Sequence, residues 1–168
     1  MGDIAKAFIN LPPLHGNRIG IITGTGAGGI MSLDALQQHG FELAKLLPRT
    51  VNRNRDLFPS WAPPTNPVDI MTAALMHGYE KVYRESLAAL LEDDNVDAIL
   101  CISGIPALKD IQQVASNKPK PVITWILGEW NESLLSEIKE TGFKAIYPTP
   151  ERAVRALAAL REYKSFAK

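Results

Sequence analysis

The stretch RIGIITGTGAGG, from Arg18 to Gly29, decides the fold. Its first half, Arg18 to Thr23, is an unbroken apolar and β-branched run of strand length. Continuous rather than alternating hydrophobicity is what a strand covered by helices on both faces requires. Its second half places four glycines in the six positions from Gly24 to Gly29, directly before a helix expected to begin near Ile30. A buried strand that turns through glycines into a helix is the opening unit of a parallel α/β sheet.

Working outward, two more such runs follow, Asp97 to Ser103 (DAILCIS) and Pro121 to Leu127 (PVITWIL), with shorter candidates at Phe41 to Lys45 and Ala145 to Tyr147. Between them lie helical patterns. In Tyr79 to Leu91 the residues Tyr79, Val82, Tyr83, Leu87, Leu90 and Leu91 recur at three-and-four spacing. Leu134 and Ile138 mark another helix, with Asn131 as its N-cap and Gly142 just past its end, and Thr149-Pro150 opens a last one through Val154, Leu157 and Leu160. Five strands alternating with helices imply right-handed crossovers and an α/β, flavodoxin-like three-layer sandwich: a five-stranded parallel sheet in the order 2-1-3-4-5. Residues 17–164 would form this domain and residues 1–16 an N-terminal arm or linker. The connection from Leu46 to Gly78 is far longer than the roughly two to six residues usual in an α/β unit. It is expected to hold a short helix, Arg53 to Phe58, and an extended tract through Trp61, Pro63, Pro64 and Pro67.

The composition excludes several classes. The 168 residues carry 18 Lys plus Arg against 18 Asp plus Glu, so there is no clustered basic excess for a nucleic acid. No apolar run approaches the roughly 20 residues that span a bilayer, and the N-terminus has neither the basic start nor the cleavage pattern of a signal peptide. A single cysteine, Cys101, excludes a disulfide framework and a cysteine zinc site and suits a reducing, cytoplasmic setting. No metal is expected. His15, His39 and His77 each adjoin glycine or a helix end, without a carboxylate at catalytic spacing, and read as solvated or capping residues. Glu92 to Asp97 lacks the glycine and closing glutamate of a calcium loop and reads as a solvated turn. Trp125 and Trp130 read as a partly buried aromatic pair.

The chemistry is expected at the loop. Gly24, Thr25, Gly26, Ala27, Gly28 and Gly29 let the backbone approach a ligand closely, and the free amides of the following helix start favour an anion, above all a phosphate. No Gly-Lys-Ser/Thr follows, so this is not a Walker loop. Gly24, Gly26 and Gly29 do spell GxGxxG, but no acidic residue ends the second strand, which disfavours a nicotinamide cofactor. Thr23 and Ser103 stand where a receiver domain needs acidic residues. With the order 2-1-3-4-5 the crevice would face Ser103 and Gly104, with Ser103 either donating to an oxyanion or capping the helix that starts at Pro106. Asn66 and Asp69, in an NPVD tract, are weaker candidates, read more as loop-ordering residues than as substrate contacts.

GNRIGIITGTGAGG, then Asp34-Ala35-Leu36, NPVD, ALLEDDNVDAIL and YPTPERAVRALAAL, in this order, resemble the second flavodoxin-like ligase subdomain of the NDP-forming acyl-CoA synthetases. These include the ADP-forming acetate–CoA ligases, and the subdomain corresponds to the C-terminal domain of the succinyl-CoA synthetase β subunit. The resemblance covers roughly residues 14 to 163. It implies a reaction in which an acid, CoA and ATP interconvert with acyl-CoA, ADP and phosphate through a phosphohistidine carried by another module. The helix after Gly28-Gly29 would then be one of two whose N-termini grip that phosphate, and no catalytic residue would belong to this chain. CoA, ATP or ADP, and magnesium would be bound by other domains: a CoA-binding module, the phosphohistidine ligase module and an ATP-grasp domain. The chain is expected to be a fragment or subunit, inactive alone. Two alternatives stand beside this: a regulatory or interaction module of a related fusion protein, of the kind that controls acetyltransferases, and a flavin-binding flavodoxin-like domain.

Overall fold

The computed structural model describes residues 2–166. In chain order its elements are α1 (Gly2–Asn10), β1 (Arg18–Thr23), α2 (Gly26–Gln38), β2 (Glu42–Leu43), α3 (Pro48–Arg53), β3 (Val68–Asp69), α4 (Met71–His77), α5 (Tyr79–Glu92), β4 (Ala98–Ser103), α6 (Leu108–Ala115), β5 (Val122–Ile126), α7 (Glu132–Thr141), β6 (Ile146–Tyr147) and α8 (Pro150–Phe166), with 3-10 turns at Arg55–Leu57 and Ile105–Ala107. All strand pairings are parallel, and the path runs β2-β1-β4-β5-β6 with β3 also paired to β1.

The expected α/β sheet flanked by helices is present, but five strands in the order 2-1-3-4-5 is not the full topology. The sixth strand comes from the long connection, which returns to the outer edge of β1. That edge is shared: Arg18 and Ile19 pair with Glu42 and Leu43, while Ile22 and Thr23 pair with Val68 and Asp69. Two residues after a proline-rich tract give no hydrophobic run to read, so β3 is set by tertiary pairing alone. The same connection folds Pro48–Arg53 as α3, with Pro48 in the first turn, and leaves only a 3-10 turn where a helix over Arg53 to Phe58 is predicted.

Each sheet face carries its own core. On one side Ile19, Ile21, Leu100, Ile102 and Ile123 pack against α2 and α8; on the other Ile22, Ile99, Cys101, Val122 and Ile126 pack against α5 and α6. Residues 2–10, read from sequence as part of an arm or linker, form a helix against α8: Ala7 is buried, and Asp3 accepts from Arg152 Nη2 at 2.8 Å. The turn from Glu92 to Asp97 is not simply solvated. Asp93 is fully buried and accepts from the backbone of Leu47 and Asn95, and Asp97 takes a bidentate grip from Arg18 at 2.8 and 2.9 Å. Gly16 permits that clamp, since a Cβ there would lie 2.2 Å from the Asp97 carboxylate. The predicted caps of α7 are present: Asn131 Oδ1 accepts from Leu134 N at 3.0 Å, and Gly142 follows at φ 73°.

Candidate functional site

The glycine loop lies where β1 ends, with the carboxyl ends of β3 and β4 beside it, which is where open α/β sheets bind ligands. One hydroxyl sets the loop's conformation. Buried Thr23 accepts from Thr25 N at 3.0 Å through its Oγ1 and donates to Thr25 O at 2.7 Å. This holds Thr25 extended (φ −152°, ψ 127°) as the N-cap, although its own side chain makes no cap bond. The helix begins at once, at Gly26 rather than near Ile30, because the sheet beneath holds glycines helical despite their poor propensity.

The six loop residues fall into two groups. Gly26 and Ala27 are exposed, and Gly24 and Thr25 half-buried. The backbone amides of this first turn, which lack intrahelical partners, are therefore presented to a ligand, and the helix dipole adds roughly 0.3–1 kcal/mol of attraction for an anion. Gly28 and Gly29 are buried. A Cβ at Gly28 would lie 3.1 Å from both Ile102 Cγ2 and Thr25 Cγ2, and one at Gly29 3.5 Å from Pro67 Cβ. Gly28 therefore lets α2 lie close on the sheet, whereas a side chain at Gly29 would make ordinary contact.

The other candidates separate as clearly. Asp69 is exposed and beside the loop: Oδ1 accepts from Met71 N at 3.0 Å, and Oδ2 lies 3.5 Å from where a Gly26 Cβ would stand. It brings negative charge to the same helix start. The polar atoms of Asn66 are engaged inside the sheet, with Ile21 N, Ile19 O and Ala44 O at 2.9, 2.8 and 3.0 Å. Ser103 is buried on the face that packs against α5, beside Tyr83, away from α2. Nor does it cap a helix: Gly104 occupies the N-cap of the 3-10 turn, which has no side-chain cap bond.

Sequence reasoning missed Tyr79, reading it only as part of a packing face. It is the first residue of α5, and a Cβ at Gly24 would lie 3.4 Å from its Cε2 and 3.5 Å from its hydroxyl. Burial pushes this phenol up to about 12, so it stays a neutral hydroxyl, able to donate a hydrogen bond, well above neutral pH. Its signal was position, an aromatic directly after Gly78 at a helix start. Exposed apolar side chains stand on the two helices that start beside the loop: Ile30 and Met31 on α2, and Met71, Leu75 and Met76 on α4.

No known protein-family model matches the chain. It is 31% identical over 173 aligned positions, 96% of its length, to the alpha subunit of acetate–CoA ligase [ADP-forming] I of Pyrococcus furiosus. The chain is homologous to the ADP-forming acetate–CoA ligases. A second subunit alpha from that organism, of ligase II, is 28% identical over 95% of the chain, and the chain spans 36% of the length of each of these relatives. A crystal structure from Pyrococcus horikoshii OT3 superposes with a TM-score of 0.81 at 26% identity, over 97% of this chain and 39% of that one. The dinucleotide-forming acetyl-coenzyme A synthetase 1 of Ca. Korarchaeum cryptofilum, in complex with phosphate and ADP, superposes with a TM-score of 0.78 at 27% identity, over 97% and 36%. Among the described residues no helix is long and apolar enough to cross a membrane.

Proposed function

We propose that the chain acts as one module of an NDP-forming acyl-CoA synthetase, in which the first turn of α2 stabilises a phosphoryl group delivered by another module. The observation that carries this reading is the exposed helix start at Gly26 and Ala27, held open by the Thr23–Thr25 hydroxyl bridge. Its contribution is electrostatic: amides already oriented toward a phosphoryl group need no reorganisation as charge develops. The module forms no covalent intermediate of its own. The phosphohistidine, the CoA and nucleotide sites and the magnesium ligands belong to other domains or subunits in this reading, and Cys101 as the sole cysteine accords with a cytoplasmic enzyme. The apolar side chains around the loop give those domains a surface to close on, and closure would exclude water from the phosphoryl group.

Asp69 is consistent with a half-site. Its carboxylate opposes a phosphate at the same helix start, so useful affinity requires positive charge from a facing module. Ala27→Asp in the assembled parent enzyme tests the reading. Ala27 is exposed in the first turn of α2, where a carboxylate suits the helix dipole and spares the fold while repelling a phosphoryl group. ATP formation from acyl-CoA, ADP and phosphate should fall by about 100-fold at unchanged Tm. Unchanged turnover would remove α2 from the phosphoryl site.

A further inference from the structure

At the far edge of the sheet, three strands from β1, an open groove of about 450 Å³ lies between α1, α7 and β6. Its apolar wall is formed by Trp130, Leu135, Ile138, Phe143 and Ile146. Phe143 and Ile146 are buried, whereas Trp130 is 36% and Leu135 43% exposed. The charged residues lining it are Lys6, Lys139 and Lys144, with no carboxylate among the lining residues. An apolar wall edged by a few charges, at this size, is the usual composition of a small-ligand site.

The three lysines are not equivalent. Lys6 donates to Ile146 O at 2.8 Å and sits 4.8 Å from the Tyr147 ring centroid. Its ammonium thus occupies the outward carbonyl of the edge strand, which blocks addition of another strand there. Lys139 and Lys144 are exposed. A second copy of the chain seated symmetrically on this face would set lysine against lysine. The complementary occupant is anionic at one end and apolar at the other.

We propose that this groove binds an amphiphilic monocarboxylate, its tail against Trp130, Leu135 and Ile138 and its carboxylate between Lys139 and Lys144. The site is separate from the α2 loop and does not depend on the phosphoryl reading.

Decanoate is the probe, titrated into the full chain with tryptophan fluorescence as the readout and decanol as the uncharged control. The expected result is a saturable change that Trp130→Phe removes, with decanoate binding about tenfold more weakly to the Lys139→Glu/Lys144→Glu variant and decanol unaffected by it. Both lysines are exposed, and an unchanged Tm confirms that the variant folds. Equal affinity for decanol and decanoate, or unchanged decanoate binding in the double variant, would overturn the proposal. So would light scattering that shows a dimer broken by Leu135→Asp, which would assign the groove to self-association.

Discussion

Asn66 Oδ1 accepts the backbone N–H of Ile21 at 2.9 Å, where a neighbouring strand would otherwise supply a carbonyl. Between the short pairings of β2 and β3 along β1, this one amide completes the ladder, its nitrogen donating to Ile19 O and Ala44 O. Asn66→Leu leaves the N–H of fully buried Ile21 without its acceptor and removes a donor from Ala44 O, while Ile19 O keeps the N–H of Ala44. Urea denaturation should show a loss of about 3 kcal/mol, with the slope unchanged. Asn66→Asp should be no better, because its carboxylate would face two carbonyl oxygens.

The exposed and the buried residues of the loop should respond differently to substitution. At Gly28 even alanine forces Ile102 or Thr25 to move, so Gly28→Ala is expected to cost about 1–3 kcal/mol, and Gly28→Asp to prevent folding. Ala27→Asp should leave thermal unfolding within about 0.5 kcal/mol of the parent. Scanning calorimetry on the three variants checks the order.

Acid stability depends on two clamped carboxyls. The hydrogen bond from Arg152 holds the Asp3 carboxyl below its ordinary value. At Asp97 burial favours the neutral form, but the bonds and charge of Arg18 outweigh it and the carboxyl again lies low. A carboxyl that is more acidic folded than unfolded adds stability above its unfolded pKa, and that stability disappears as pH falls through the folded value. Unfolding free energy should therefore decline below about pH 4. Asp3→Asn should flatten that decline as well as lower stability at pH 7, which denaturation at a series of pH values would show.

Cys101 lies fully buried on β4, and burial pushes its thiol up to about 12. Iodoacetamide at pH 7.5 should leave it unmodified in the native protein and label it fully in urea. Rapid native labelling would show that the face beneath α5 opens readily.

Thermal shift addresses the ligand class. Inorganic phosphate should raise Tm slightly and FMN should not. Strong stabilisation by FMN would replace the ligase reading with a flavin site.

The fold's centre was legible because β1, β4 and β5 are buried on both faces and must be continuously apolar. The caps of α7 were legible because Asn131 and Gly142 satisfy local backbone needs. What stayed hidden was held from a distance. β3 exists through its pairing with β1, the close seat of Gly28 through packing on Ile102, and the buried state of Asp93 through the backbone of Leu47. At the site, sequence located the loop but could not sort its glycines. Exposure at Gly26 and close packing at Gly28 differ by which way the helix turns. Ser103 shows the same limit: the strand end is near the loop, but alternation along β4 turns its side chain to the other face.

The contact of Asn66 Nδ2 with Ala44 O has one further consequence. The chain leaves the sheet at Ala44 and returns to the same point 22 positions later, so everything between is a closed excursion tied off at its neck. Its length is uncoupled from the separation of Thr23 and Asp69, which is fixed by strand register. Insertions within residues 59–63, between the buried anchors Phe58 and Pro64, can therefore diversify that surface while the geometry around the loop stays constant.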